Sequence, residues 1–191
     1  MEKDIKSWLK ENLSEERYMH VLGAQEAAIE LARRFGQDEE KAGLAALIHD
    51  CAKCIKTEEL IKIIKENNLE VSEMEMKSYK TLHAVVGPFI ACKEFGICDQ
   101  DILNAIRFHT IGRIGMSILE KIVFLADKIE SKTRNPQFIE EVVKILDETN
   151  NMDEAVLFCY DATIKSLLRR KLIINPETID VYNDLLIKLY H

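Results

Sequence analysis

Polar side chains of metal-ligand type interrupt stretches of this chain that are otherwise apolar. The clearest case is His49-Asp50. Together with Lys53, these residues lie on the same helix-like stretch as residues 42–48, which are the most apolar part of it. Burying charge without a partner costs several kcal/mol, so a carboxylate, an imidazole and an ammonium on such a stretch need compensation. A metal ion together with an anion would satisfy all three groups. The simpler alternative places this turn at the helix end, where Lys53 pairs with Asp50 in solvent.

Four further stretches carry one such residue each on an apolar face. These residues are His20, His83, His109 and Asp127. Any one histidine taken alone is more simply a core or surface residue without a function. Together with His49-Asp50, however, they fall on five inward-facing helical faces, which favours a shared role. Imidazole combined with carboxylate binds Fe, Mn, Zn or Ni rather than Ca or Mg alone. Six ligands exceed what one four-coordinate zinc needs, and they suit a two-metal centre with one bridging carboxylate.

The five cysteines offer a competing metal hypothesis. Cys51 and Cys54 form a C-x-x-C, but within a helical stretch and without a second pair, and Cys92 and Cys98 lie six residues apart. A zinc site needs four ligands with better spacing, and a thioredoxin-type motif needs a βαβ context. We therefore assign these thiols to packing. Because the number is odd and no disulfide spacing is present, we expect a reducing cytoplasm.

The elements that must position these residues are predicted to be helices throughout, because no run alternates in the way strand residues do. Ser117 with Glu120 is interpreted as a capping box, and Gly87-Pro88 as a helix break. The predicted helices cover residues 2–12, 14–36, 38–55, 57–68 (fraying at 67–68), 73–95 (one or two helices), 99–109, 117–130, 137–148, 153–170 and 176–190. The sequence thus predicts a compact all-α bundle of roughly eight to ten helices.

Length and composition are those of one globular domain over residues 1–191, with 47% hydrophobic and 31% charged residues and only 7 Gly and 3 Pro. The net charge of −7 argues against a general nucleic-acid surface, because phosphate backbones require clustered cations. The apolar runs are too short for a transmembrane span, and no signal-peptide core begins the chain. We expect no nucleic-acid partner and no membrane association.

The order of these residues resembles a known signature. A lone His, then His-Asp, two further His and a final Asp, each on its own helix, is the pattern of the HD superfamily of metal phosphohydrolases. Five local strings are similar to the YqeK-type HD proteins: RYMHVLG, AALIHDCAK, LHAVVG, AIRFHT and FLADKIE. The resemblance covers residues 17–134 and implies an HD-type domain, with the helices of residues 137–190 packed on this motif core.

The resemblance implies an activity and a role for each matching residue. The activity is symmetrical hydrolysis of diadenosine tetraphosphate to two ADP, by a metal-activated hydroxide that attacks an inner phosphorus. The implied metal ligands are His20, His49, Asp50, His83, His109 and Asp127, with Asp50 bridging. The implied catalytic residues are Asp50, Lys53, His83 and His109. The implied substrate contacts are Arg17, His20, Lys53, His83, His109, Thr110 and Arg134. A di-iron centre is the implied cofactor, although the ligand types also fit Mn, Ni or Zn. ADP or GDP is expected as a product-like ligand, and a homodimer as the assembly.

Two positions depart from the family pattern. Ile111 stands where the family often has a second Thr. After Glu130 the expected Pro is missing and Arg134 comes one position late. Two interpretations therefore stay open for Arg134, as they do for Arg17: a phosphate contact or a solvated surface position. Two other functions stay open: an HD phosphohydrolase acting on a nucleoside monophosphate or a guanosine alarmone, and a non-enzymatic nucleotide-binding HD module.

Overall fold

The computed structural model describes residues 2–191, which form eleven α-helices and no strand. The all-α prediction is confirmed, and the helix count is one above the predicted range. In chain order the helices are α1 (Glu2–Asn12), α2 (Glu15–Arg34), α3 (Glu39–Ile48), α4 (Thr57–Glu66), α5 (Glu73–Lys77), α6 (Leu82–Phe95), α7 (Gln100–Phe108), α8 (Ile118–Ile129), α9 (Pro136–Thr149), α10 (Met152–Arg169) and α11 (Pro176–Tyr190).

Most helices begin where a short polar side chain accepts a backbone N–H of the first turn, which satisfies one of the orphan donors at a helix start. The capping residues are Ser14, Asp38, Ser72, Asp99, Ser117, Asn135, Asn151 and Asn175. The predicted capping box at Ser117 is only half present, because the Glu120 carboxylate pairs with Arg113 instead, at 2.6 Å. These caps fix where each helix starts and so which of its faces meets the core.

The third predicted helix is too long, since α3 ends at Ile48 and not near Ile55. From His49 onward the backbone bonds span three residues: Cys51 N–H reaches the Ile48 carbonyl and Lys53 N–H reaches the Asp50 carbonyl. These bonds tighten the chain into successive turns. His49-Asp50 therefore stands at a helix end, as the simpler alternative held, but both side chains are buried rather than in solvent.

The predicted break at Gly87-Pro88 is wrong, because α6 runs through both residues. Residues 73–95 do form two helices, but the division lies at Ser78 and the 3₁₀ turn Tyr79–Thr81, whose conformation interrupts the α-helical bonds. Short α5 is thus a separate helix. Gly87 is needed inside α6 for packing: a Cβ there would lie 2.7 Å from Cγ2 of Ile106 on α7.

Helix α8 lies at the centre of the packing and contacts α2, α3, α7, α9 and α10. Its Phe124 ring stacks on Tyr160 of α10, with centroids 5.1 Å apart. The buried Tyr160 hydroxyl donates to the Ile111 carbonyl at 2.7 Å, just beyond α7. The C-terminal helices thereby hold the segment that follows His109. None of the helices in residues 2–191 has the length and apolar character that a membrane crossing requires.

Gly87→Ala tests the close approach of α6 and α7. Alanine favours a helix over glycine by about 1 kcal/mol, whereas the overlap with Ile106 costs about 1–3 kcal/mol, so we expect a net loss of about 1 kcal/mol in the free energy of unfolding. Urea unfolding in the presence of EDTA measures it without a contribution from metal binding. In an Ile106→Leu background, which lacks the Cβ branch, the penalty should shrink. An equal penalty in both backgrounds contradicts the packing argument.

Candidate metal centre

The six predicted ligand residues converge in the interior from separate elements. His20 lies in α2, His49 and Asp50 follow α3, and the remaining members come from α6, the end of α7 and α8. All six are buried, namely His20, His49, Asp50, His83, His109 and Asp127. No other part of residues 2–191 brings as many imidazoles together. The fold therefore places these side chains in one cluster, hereafter the HD cluster.

The HD cluster consists of two overlapping groups that share Asp50. One group is His20, His49 and Asp50, the other is Asp50, His83 and His109, and the ligand atoms within each lie within 4.8 Å of one another. Oδ2 of Asp50 lies 3.7 Å from Nε2 of His20 and 3.6 Å from Nε2 of His49. Its Oδ1 lies 3.0 Å from Nε2 of His83 and 3.4 Å from Nε2 of His109. The two oxygens of one carboxylate thus face two different groups.

Asp127 adds a second carboxylate to the first group only. Its Oδ1 lies 3.0 Å from Nε2 of His20 and 3.6 Å from Nε2 of His49. The first group therefore offers two imidazoles and two carboxylate oxygens, whereas the second offers two imidazoles and one oxygen. The second group has fewer protein ligands and is the more open of the two to an additional ligand.

Hydrogen bonds at Nδ1 orient three of the four imidazoles. His20 donates from Nδ1 to Oε1 of buried Glu130 at 3.0 Å. His49 and His109 each donate from Nδ1 to the backbone carbonyl three residues earlier, at 2.6 and 2.7 Å. A proton fixed at Nδ1 leaves the lone pair on Nε2, the atom that points into the cluster. This is the tautomer that a metal ion requires.

Three of the inward-facing atoms have no hydrogen-bond partner within the described chain. Nε2 of His20, Nε2 of His49 and Oδ1 of Asp50 are buried and unpartnered. Nε2 of His83 also lies only 3.2 Å from Nε2 of His109. Lone pairs that face one another, or face carboxylate oxygens, repel unless a cation stands between them. The donor set, its burial and its unsatisfied atoms together fit a divalent metal ion.

Both buried carboxylates are held in the ionised form. Burial alone would raise the pKa of Asp50, but the His49 charge and the adjoining His109 and His83 rings hold it well below the ordinary range. Burial also acts to raise the pKa of Asp127, but the Lys128 charge, with smaller contributions from His20, His49 and Arg134, holds it well below the ordinary range. Two negative charges therefore persist in the interior at neutral pH and attract a cation.

The imidazoles respond to the same opposing effects. Burial lowers the pKa of His109 to about 4 and lowers that of His83, so both rings are neutral at pH 7. Burial also works to lower the pKa of His49, but the charges of Asp50 and Asp127 outweigh it and raise the pKa. The two carboxylates thus favour positive charge on His49. His83 and His109 stay in the neutral form that ligates metals.

Basic side chains surround the outer side of the cluster. Arg17 donates from Nη1 to Oδ2 of Asp50 at 2.8 Å. Arg134 donates from Nη2 to Oδ1 of Asp127 at 2.5 Å and from Nε to the Asp127 carbonyl at 2.6 Å, and Lys128 reaches Oδ2 of Asp127 at 2.8 Å. The two arginines are therefore attached to the cluster and are not free surface residues.

Lys53 and Thr110 lie beside the second group. Nζ of Lys53 is 3.3 Å from both ring nitrogens of His83, and the solvent-exposed pair of Lys53 with Asp50, which was the simpler alternative, does not form. Burial lowers the pKa of the Lys53 ammonium, and the Asp50 charge opposes that shift. Thr110 directly follows His109, is half-buried and lines a cavity next to the cluster. Both residues are thus near the more open group.

Sequence reasoning missed Lys128 and Glu130. Each lay in the string around Asp127, and the three-residue spacing of Asp127 and Glu130 places both on one helical face. Glu130 is fully buried and also accepts the backbone N–H of Lys132 at 2.7 Å.

The assignment of the thiols to packing holds for Cys51, which is buried, as Cys159 also is. It is wrong for the exposed Cys54, Cys92 and Cys98.

Comparisons with known proteins agree with this geometry. The HD domain family model matches residues 17–132. The chain is 41% identical over 182 residues to a symmetrical bis(5'-nucleosyl)-tetraphosphatase of Halalkalibacterium halodurans, covering 94% of each chain. It is 37% identical to the protein of that name in Bacillus subtilis, covering 92% of each. A crystal structure from Clostridium acetobutylicum, described as a predicted HD superfamily hydrolase involved in NAD metabolism, is 38% identical, with a TM-score of 0.92 and 98% coverage of both chains. The cluster is accordingly a divalent metal-binding site.

Glu130→Gln tests how the outer hydrogen bond orients His20. The variant keeps the size of the side chain but loses the charge that fixes the Nδ1 proton, so we expect metal affinity to fall about 10- to 100-fold. Titration against a competing chelator measures it. Glu120→Gln makes the same change in α8 at the buried pair with Arg113 and should leave metal affinity unchanged. Equal affinities in the two variants would refute the role of Glu130.

Proposed function

The chain belongs to the HD domain family, and on that premise we propose that it hydrolyses dinucleoside tetraphosphates symmetrically, releasing two ADP from diadenosine tetraphosphate. The observation that carries the proposal is the pair of ligand groups that share Asp50. The relatives named for this activity also match the chain over nearly their whole length. The substrate is accordingly a small nucleotide. Hydrolysis of a phosphoanhydride needs a nucleophile at neutral pH and compensation of the charge that develops on phosphate, and the cluster with its basic rim is suited to both.

We propose that the two groups hold two metal ions, with His20, His49, Asp50 and Asp127 binding the first and Asp50, His83 and His109 the second. Two metal ions bound there would supply a water molecule of lowered pKa and positive charge for the phosphoryl oxygens. Asp50 would be the ligand common to both. Iron in both positions is part of the proposal, and Mn, Ni and Zn suit the same ligand types.

The remaining residues act on the phosphate chain. Lys53 brings a compact positive charge next to His83, where it stabilises charge on the non-bridging oxygens of the phosphate under attack. Thr110 offers a hydroxyl beside His109. Arg17 and Arg134 use some of their five N–H donors to hold Asp50 and Asp127, and the others remain for phosphate. Each arginine thereby orients a ligand and binds substrate.

A homodimer and a cytoplasmic location remain predictions. They affect neither the ligand groups nor the chemistry proposed for them.

Lys53→Met removes the charge and keeps most of the side-chain length. We expect the metal content to stay at the wild-type level while kcat falls about 100- to 1000-fold, the usual cost of losing one donor to developing charge. Lys56→Met, three residues away on the exposed surface, is the matched control and should retain full turnover. Wild-type turnover in the Lys53 variant contradicts the proposed role.

Chromatography of the products tests the reaction itself. Metal-loaded protein incubated with diadenosine tetraphosphate should release two ADP for each substrate molecule, because attack falls on an inner phosphorus. Formation of ATP with AMP, or no turnover, contradicts the proposal. Release of phosphate from AMP without cleavage of the dinucleotide would favour the nucleoside monophosphate alternative.

A further inference from the structure

Two exposed thiols meet at the turn between α6 and α7, away from the HD cluster. Cys92 lies in the last turn of α6, and Cys98 directly precedes Asp99, the cap of α7. Both are free cysteines with exposed side chains. A side-chain hydrogen bond joins the two thiols and raises the pKa of Cys92. A spacing that fits no zinc motif in the sequence thus brings two sulfur atoms into contact.

The backbone at the end of α6 produces this contact. Gly96 has a φ of +66°, a left-handed conformation that glycine adopts without strain, and it reverses the direction of the chain. Its N–H donates to the Cys92 carbonyl at 3.0 Å, which is the bond of a left-handed helix end. The Ile97 N–H reaches back to the Ala91 carbonyl at 3.2 Å. These two bonds return the chain along the last turn of α6, so that Cys98 comes to lie beside Cys92.

The neighbours of Cys98 hold the turn in place. Ile97 on one side is buried, and Asp99 on the other side accepts the first N–H groups of α7. The Phe95 ring packs edge-on against Trp8 of α1, with centroids 5.1 Å apart. Because the turn is anchored on both sides of Cys98, a covalent bond between the two thiols requires little further ordering of the chain.

The C-x-x-C of Cys51 and Cys54 does not form such a pair. Sγ of the buried Cys51 donates to the Gly87 carbonyl of α6 at 3.6 Å. Sγ of the exposed Cys54 accepts the backbone N–H of Ser14, the cap of α2, at 3.4 Å. The two sulfur atoms are thus engaged with different helices. The contact between thiols lies instead at the α6–α7 turn.

Helices α6 and α7 form a hairpin that carries the thiols at its turn and two metal ligands at its open end. His83 lies at the start of α6, and His109 follows the last residue of α7. Cys92 comes nine residues after His83 on the helix, a distance of about 14 Å along its axis. The thiols therefore lie too far from the HD cluster to bind its metal ions, and chemistry at the turn does not involve the ligand atoms.

We propose that Cys92 and Cys98 are a site of reversible thiol–disulfide exchange with low-molecular-weight disulfides, and that their disulfide crosslinks the turn of the α6–α7 hairpin. The thiolate of one cysteine attacks a sulfur of the small disulfide, breaks its S–S bond and releases one small thiol. The other cysteine attacks the protein sulfur of this mixed disulfide, forms the Cys92–Cys98 bond and releases the second small thiol. The two cysteine protons leave with the small thiols; the cysteines are oxidised and the small disulfide is reduced. Exposed disulfides are readily reduced again, so the site is reversible.

Oxidised glutathione is the probe, applied to the full-length Mn²⁺-loaded protein. We expect the protein to lose the mass of two hydrogen atoms. Trypsin cleavage at the exposed Lys93 should then yield two peptides that remain joined through Cys92 and Cys98 in mass spectrometry without reductant. The melting temperature should rise by about 5 °C, because a bond that closes a short loop restricts the unfolded chain. Reduced glutathione should reverse both changes.

Two variants and two outcomes decide the proposal. Cys98→Ser should give a glutathione adduct on Cys92 with no rise in melting temperature, whereas Cys54→Ser, which removes another exposed thiol, should keep both the joined peptides and the rise. The proposal is wrong if the wild type carries only separate glutathione adducts at the two positions, or if the crosslinked protein melts at the same temperature as the reduced protein. Neither measurement depends on hydrolysis of dinucleotides, so this inference and the proposed function fail independently.

Discussion

The Asp50 carboxylate is the group on which the arrangement of the interior depends. Its two oxygens face two pairs of imidazole nitrogens, and it keeps its charge although it is almost completely buried. A buried charge of this kind is strongly destabilising unless positive charge compensates it. Arg17 covers only Oδ2, while Oδ1 has no hydrogen-bond partner. The structure around Asp50 is therefore complete only with cations bound, and metal affinity and folding stability are linked here.

That requirement explains features of the fold outside the metal ligands themselves. Gly87 allows α6 to approach α7 closely. This approach brings Nε2 of His83 to 3.2 Å from Nε2 of His109. Tyr160 on α10 holds the segment after His109, so the C-terminal helices support the second ligand group. Glu130 and two backbone carbonyls orient imidazoles from outside. The ligands are positioned by packing and by outer hydrogen bonds.

Much of this could be predicted from the sequence, because polar residues on apolar helical faces are rare and costly. The helix starts were predictable from short polar caps, and the convergence of His20, His49, His83 and His109 from their placement on inward faces. The end of α3 was not predictable, because the helical pattern of the sequence continues to Ile55, whereas the backbone bonds from His49 onward span only three residues. Glu130 was missed because a glutamate at a helix end normally lies in solvent, and its burial follows only from the packing of α8 on α2.

Anomalous X-ray diffraction from crystals of the metal-loaded protein, recorded at the absorption edge of the metal, locates each bound ion. We expect two anomalous peaks about 3.5–4 Å apart, one on each side of Asp50, with Nε2 of all four imidazoles directed at them. A single peak outside the cluster, or none with the imidazole nitrogens hydrogen-bonded to one another, would contradict it.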